Sequence, residues 1–209
     1  MSDDTTEHPS LRAVEAVDAA AIPSEGNVVD LGAAKRERLE AEVRRLRASN
    51  EALVSLSKAN LAAQAQTHAA VLALVEADTL AAIDRRLQGR VCDALNIDAA
   101  RVFVEGHHPL RGARAVFGAG PGLVSSALGD AAEFLGPVAP RLADMLYGPQ
   151  AARMASHALV RLEIGERIGL MALASAEAAA FTSDQGSDLV HFLARVLERR
   201  LAPHLKAPA

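Results

Sequence analysis

With 209 residues and 26 Asp and Glu against 22 Lys and Arg, the chain has room for one ordinary domain plus an appendage. It lacks the basic excess that would hold it on nucleic acid or an anionic membrane. Its single cysteine, Cys92, excludes an internal disulfide or a thiolate-rich metal cluster and fits a reducing cytoplasm.

Residues 1–30 are acidic, with Pro9, Pro23 and a Ser24-Glu25-Gly26-Asn27 turn signal. Too little of this segment is apolar to bury, so disorder is expected, and the acidic charge is the reverse of a targeting peptide. From Ala33 to about Glu76 no Gly or Pro occurs and helix formers dominate, which predicts one long helix over 31–76. Leu39, Leu46 and Leu53 recur every seven residues at d, with Val43 and Asn50 at a. That pattern is a coiled-coil dimer seam, in which a buried Asn fixes register at some cost in stability. The alternative is an amphipathic helix packed on its own domain. A DNA-contacting basic helix is disfavoured, because Glu37, Glu40 and Glu42 interrupt the Lys and Arg residues and would repel phosphate.

A second helix follows, capped by Asp78 or Thr79, with Leu80, Ile83, Leu87, Val91 and Leu95 at helical spacing as far as Asn96. Arg101 to Glu105 alternates as a strand, and Ala113 to Phe117 suggests another. The Gly-rich stretch 118–136 reads as loop with at most a helical turn, and Pro140 to Tyr147 as a short helix. Ser156–Ile164 and Arg167–Ser175 are strand-like runs joined by a tight turn at Gly165, hence an antiparallel hairpin. Thr182 and Gln185 form a capping box for a last helix bearing Leu189, Phe192, Leu193, Val196, Leu197 and Leu201. Antiparallel strands bracketed by helices predict an α+β domain over 77–205.

Several segments together resemble the proteobacterial DUF484 family. They are Gly26-Asn-Val-Val-Asp30, Ser57-Lys-Ala-Asn60, His68-Ala-Ala-Val-Leu72, the hairpin with Ile168-Gly-Leu-Met-Ala-Leu173, and Phe181-Thr-Ser-Asp-Gln-Gly-Ser-Asp-Leu189. The resemblance covers roughly residues 26–205. It implies a GAF-like antiparallel sheet flanked by helices, the fold of many small-ligand sensors, and a dimer, with no established activity. Relatives' genes often lie near a tyrosine recombinase gene, which implies a recombination pathway as one context.

No catalytic constellation emerges, so the chain reads as a non-enzyme, and no cofactor is implied. The seven His include one adjacent pair, His107-His108, whose side chains can share an ion only if the loop curls. Gly118-Ala-Gly120-Pro-Gly122 lacks the Gly-Lys-Ser/Thr of a phosphate loop, and Pro121 removes an amide. Ser125 and Ser126 sit in no nucleophile elbow. Cys92 falls on a helix stripe, where a buried thiol is expected.

A ligand pocket is the remaining candidate. Strand alternation places Val102, Val104, Ala158, Val160 and Leu162 on one face. It places Phe103, Glu105, His157, Leu159 and Arg161 on the other, under residues 106–150, with the mixed lining a small molecule needs. The same face could instead be closed by its roof, with polar groups satisfied by backbone. Two readings stay open: a cytoplasmic dimeric regulatory module that senses an unidentified small molecule, and a ligand-free scaffold for an unknown protein partner.

Overall fold

A computed structural model describes residues 31–107, 112–183 and 187–205. The expectations for residues 1–30, for His108 and for Gln185 lie outside the described residues. The chain divides into two units, Met1–Glu51 and Ala52–Ala209.

Helix α1 spans Leu31–Val75. Its run of helix formers without Pro propagates without interruption. In the first unit its surface carries mixed charge, with Glu40 3.9 Å from Arg44 and Glu42 3.4 Å from Arg45. In the second unit the end of α1 becomes part of the core. Thr67, Ala70, Ala73 and Leu74 are buried there, and the Thr67 hydroxyl donates to the Ala63 carbonyl at 2.9 Å.

Thr79 caps α2 (Leu80–Arg86), its side chain accepting from the Ala82 N–H at 3.2 Å. The predicted second helix is unbroken from Leu80 to Leu95 but changes pitch. A π-helical turn, Leu87–Val91, separates α2 from α3 (Cys92–Leu95). Gly89 lies inside that turn, where a residue of poor helix propensity lets the ladder widen. Asn96 ends the helix in the left-handed conformation, φ 54, which Asn tolerates better than most residues.

Among the described residues five strands form one sheet: β1 (Ala99–Glu105), β2 (Val116–Ala119), β3 (Glu133–Pro137), β4 (Ser156–Ile164) and β5 (Arg167–Ser175). Their spatial order is β2-β1-β5-β4-β3. The β1–β2 pair is parallel and the other three pairs are antiparallel. The chain is therefore α+β as predicted, with one parallel edge. The β4–β5 hairpin keeps the predicted bounds. Its turn places Gly165 at φ 64, the positive value needed at the first position of a two-residue hairpin turn.

Three expectations are corrected. The second strand begins at Val116 rather than Ala113. The stretch 118–136 is more ordered than a loop: it holds the end of β2, a six-residue helix α4 (Leu123–Leu128) and the start of β3. The last helix, α6 (Asp188–Leu201), starts after Ser187 rather than at Thr182. Pro140–Tyr147 is α5 as predicted, with Pro at the first turn, where its missing N–H costs nothing.

The sheet separates two cores. Val102, Val104, Ala158, Val160 and Leu162 pack with α2, α6 and the end of α1, among them Leu74, Ile83, Leu193 and Leu197. Ala99, Phe103, Leu159, Leu170, Ala172 and Ala174 pack beneath α4 and α5. Each fully buried leucine contributes about 1.5–3 kcal/mol relative to exposure.

Candidate functional site

The five pocket candidates Phe103, Glu105, His157, Leu159 and Arg161 share the face covered by α4 and α5. The register explains this, since β1 and β4 both flank β5 and alternate in phase across it. Strand alternation adds Arg101 to the set. Phe103 and Leu159 are buried and meet Leu142, Leu146 and Tyr147 of α5 and Val124 and Leu128 of α4.

The polar heads of this face are turned to the covering segment. Glu105 Oε1 accepts from the Val124 N–H at 2.9 Å. The carboxylate thus satisfies a free amide at the start of α4, where negative charge is favoured. The Gly118–Gly122 segment leads into that helix end, so the place a phosphate would need already faces a carboxylate. Arg161 donates to the Gly129 carbonyl at 2.6 Å and to that of Ala131 at 3.5 Å. Arg101 donates to the Leu146 carbonyl at 2.8 Å and to Gln150 Oε1 at 3.1 Å. Its guanidinium lies 5.6 Å from the centre of the Phe117 ring and 6.0 Å from that of Tyr147, within cation–π range. Burial lowers the pKa of this guanidinium.

Beneath α5 lies a buried pair. The Tyr147 hydroxyl and His157 Nδ1 are 3.0 Å apart, and Phe134 approaches the imidazole edge-on, centroids 5.5 Å apart. Burial drives the His157 pKa down from 6.5 to about 4 and pushes that of the Tyr147 phenol up. The imidazole is therefore neutral at pH 7. His157 Nε2 and Arg101 Nε are buried without a hydrogen-bond partner.

A second polar device, invisible in the sequence pattern, is Asp84. It is buried on α2, and its Oδ1 accepts from the Ala115 and Val116 N–H groups at 2.8 Å each, with both oxygens 3.1 Å from the Arg114 nitrogen. One carboxylate thereby gathers the amides that lead into β2. A lone Asp among Leu and Ile on a helix face was the only available signal.

The seam candidates Leu39, Val43, Leu46, Asn50 and Leu53 are all exposed on α1, the leucines by 56, 57 and 63% respectively. A cavity among the described residues is lined by none of the five candidates. It is a groove of about 1180 Å³ within the second unit, between α1 and the α6 side of the sheet. Cys92 is buried, its Sγ 3.1 Å from the Leu87 carbonyl, and burial pushes the thiol up to about 11. Among the described residues no three His, Cys, Asp or Glu side chains gather as a metal site, and no helix is long and apolar enough to cross a membrane.

The sequence profile of a family described as "Protein of unknown function, DUF484" matches residues 6–206. The chain belongs to that family. No curated protein matches it.

Proposed function

We propose that this member of the DUF484 family is a non-catalytic cytoplasmic regulatory module with a GAF-like domain, which dimerises through α1 and acts by engaging another protein. The observation that carries the reading is the heptad stripe on α1. Leu39, Val43, Leu46 and Leu53 leave 45–63% of their surface in water, a cost that pairing two helices removes. The sheet's covered face supports a scaffold, because Glu105, Arg161 and Arg101 are engaged with their own roof and apolar side chains fill the space between. Native mass spectrometry of the untagged protein tests this reading. The expected species is a dimer of bare polypeptide mass, and Leu46→Glu, exposed in the single chain, should shift it to monomer. A wild-type monomer would refute it.

A small-molecule sensor is the second reading, supported by the buried, unpartnered nitrogens of His157 and Arg101. A ligand between α5 and the sheet would give both an acceptor, and would shift the helix pairing only by its differential affinity for two arrangements. A reproducible added mass lost on denaturation would favour it over the scaffold.

A further inference from the structure

The groove beside α1 lies wholly within the second unit. One wall is α1 itself, and four of the lining residues, Leu53, Ser57, Asn60 and Gln64, are the successive d and a positions that continue the heptad of Leu39, Val43, Leu46 and Asn50. The opposite wall belongs to the globular part and combines apolar Leu135 of β3, Leu173 of β5, Phe181, and Leu189 and Leu193 of α6 with the carboxylates of Glu177 and Asp188.

Its dimensions are those of one helix. From Leu53 to Thr67, α1 runs along it for about 21 Å at 1.5 Å per residue. At about 1180 Å³ the groove is roomy enough for turns of a helix about 10 Å across. Its charge is one-sided, since the charged lining residues are Glu177 and Asp188. The stretch of α1 alongside the groove, residues 53–67, carries Lys58 and no acidic residue. Ala59, Ala62, Ala63 and Ala65 in the same stretch are small enough for two helices to approach closely.

We infer that this groove is the seat of residues 53–67 of α1 from a second copy of the chain, paired in register with the same residues here. The inference rests on the dimer proposed above and extends it. The seam does not end at Leu53 but runs down into the globular unit, where the second copy's helix touches Leu173 of β5 and the first turns of α6. Asn60 and Gln64, polar residues at seam positions, then meet their own counterparts, as an in-register pair requires. Lys58 of the second copy lies toward Glu177 and Asp188. The arrangement gives the sheet a direct contact with the paired helices, so a change at the sheet alters helix pairing without an intermediary.

The test compares wild type, Leu46→Glu, and the double variant Leu56→Glu/Leu61→Glu by sedimentation velocity, with hydroxyl-radical footprinting across a dilution series. Leu56 and Leu61 are 58% and 63% exposed on the groove side of α1, so the double variant should still give the circular dichroism spectrum of a folded chain. It should dimerise on the order of 10,000-fold more weakly, roughly tenfold for each of the four leucines, two from each copy, no longer buried. In wild type, Leu189 and Val190 should be shielded in the dimer and become reactive on dilution to monomer. A double variant that dimerises like wild type while Leu46→Glu does not would overturn the groove inference and leave the α1 dimer standing. Shielding of Leu189 that persists in the monomer would mean that the same chain fills the groove, and would also overturn it. A wild-type monomer at every concentration would remove both.

Discussion

Acidification should destabilise this fold through His157. The imidazole is fully buried and its pKa in the folded chain is about 4 instead of 6.5, the value it regains on unfolding. Above about pH 6.5 the ring is neutral in both states and pH has no leverage on it. Below that, the unfolded chain takes up a proton that the folded chain refuses, so stability falls with pH until about pH 4, where the folded state protonates as well. The unfolded state binds more protons throughout this window, and stability therefore rises with pH across it. Two to three pKa units at about 1.4 kcal/mol each amount to about 3 kcal/mol, a large share of the ~5–15 kcal/mol that holds a typical domain together. The assay is urea unfolding by far-ultraviolet circular dichroism at a series of pH values, for wild type and His157→Gln. Glutamine can still accept from the Tyr147 hydroxyl but does not titrate, so the difference between the two proteins isolates the ring from carboxylates that titrate at the acidic end. That difference should change by about 3 kcal/mol between pH 6.5 and 4. Parallel pH profiles for the two proteins would refute the reasoning, as would an imidazole in the folded chain whose nuclear magnetic resonance titration has its midpoint near 6.5.

Asp84→Ala strands the buried amides of Ala115 and Val116 and should cost about 4 kcal/mol in urea unfolding, with Asp84→Asn recovering part of the loss through its remaining acceptor oxygen; a cost under about 1 kcal/mol for the alanine would show that β2 is held by other means. Gly169→Ala places a methyl 2.8 Å from the Phe103 carbonyl oxygen and 3.3 Å from Ile164 Cδ1; β1 and β5 must separate, which should lower stability by about 3 kcal/mol in the same assay. With its thiol pushed from 9.0 up to about 11, Cys92 should react with iodoacetamide at pH 8 at least on the order of 100-fold more slowly in the native protein than in urea. Equal rates in the two conditions would mean the thiol is open to solvent. Asn50→Leu should raise the melting temperature while admitting oligomers other than the dimer in sedimentation, because an apolar a position no longer selects register; an unchanged dimer with an unchanged melt would place Asn50 off the seam.

Elements whose stabilising contacts are local were legible in the sequence. The hairpin Ser156–Ile164 with Arg167–Ser175 carries its own turn glycine, α5 begins with its own proline, and α2 has its own cap in Thr79, so sequence order and spatial contact coincide there. The same holds for the two sheet faces. Period-two alternation in β1 and β4 sorted Val102 and Val160 from Phe103 and Leu159 before any neighbour was known. The strand β3, Glu133–Pro137, was not legible, because a Gly and a Pro in five residues read as a breaker. It exists as an edge strand only because β4 lends it a hydrogen-bonded partner distant in sequence.

The site shows the same division more sharply. The sequence by itself determined the α+β class, the long helix with its leucine repeat, and the grouping of Phe103, Glu105, His157, Leu159 and Arg161 on one face, since each follows from the periodicity of a single element. Only the tertiary structure decided what those side chains do. Glu105 meets the start of α4, Arg161 the carbonyls of Gly129 and Ala131, His157 the hydroxyl of Tyr147, and Asp84 three amides that enter β2. A groove likewise opens between α1 and α6, two helices more than a hundred residues apart in the chain. A polar side chain's partner depends on which backbone groups the fold leaves unsatisfied beside it. That is a property of how distant elements pack, and no local pattern of residues encodes it.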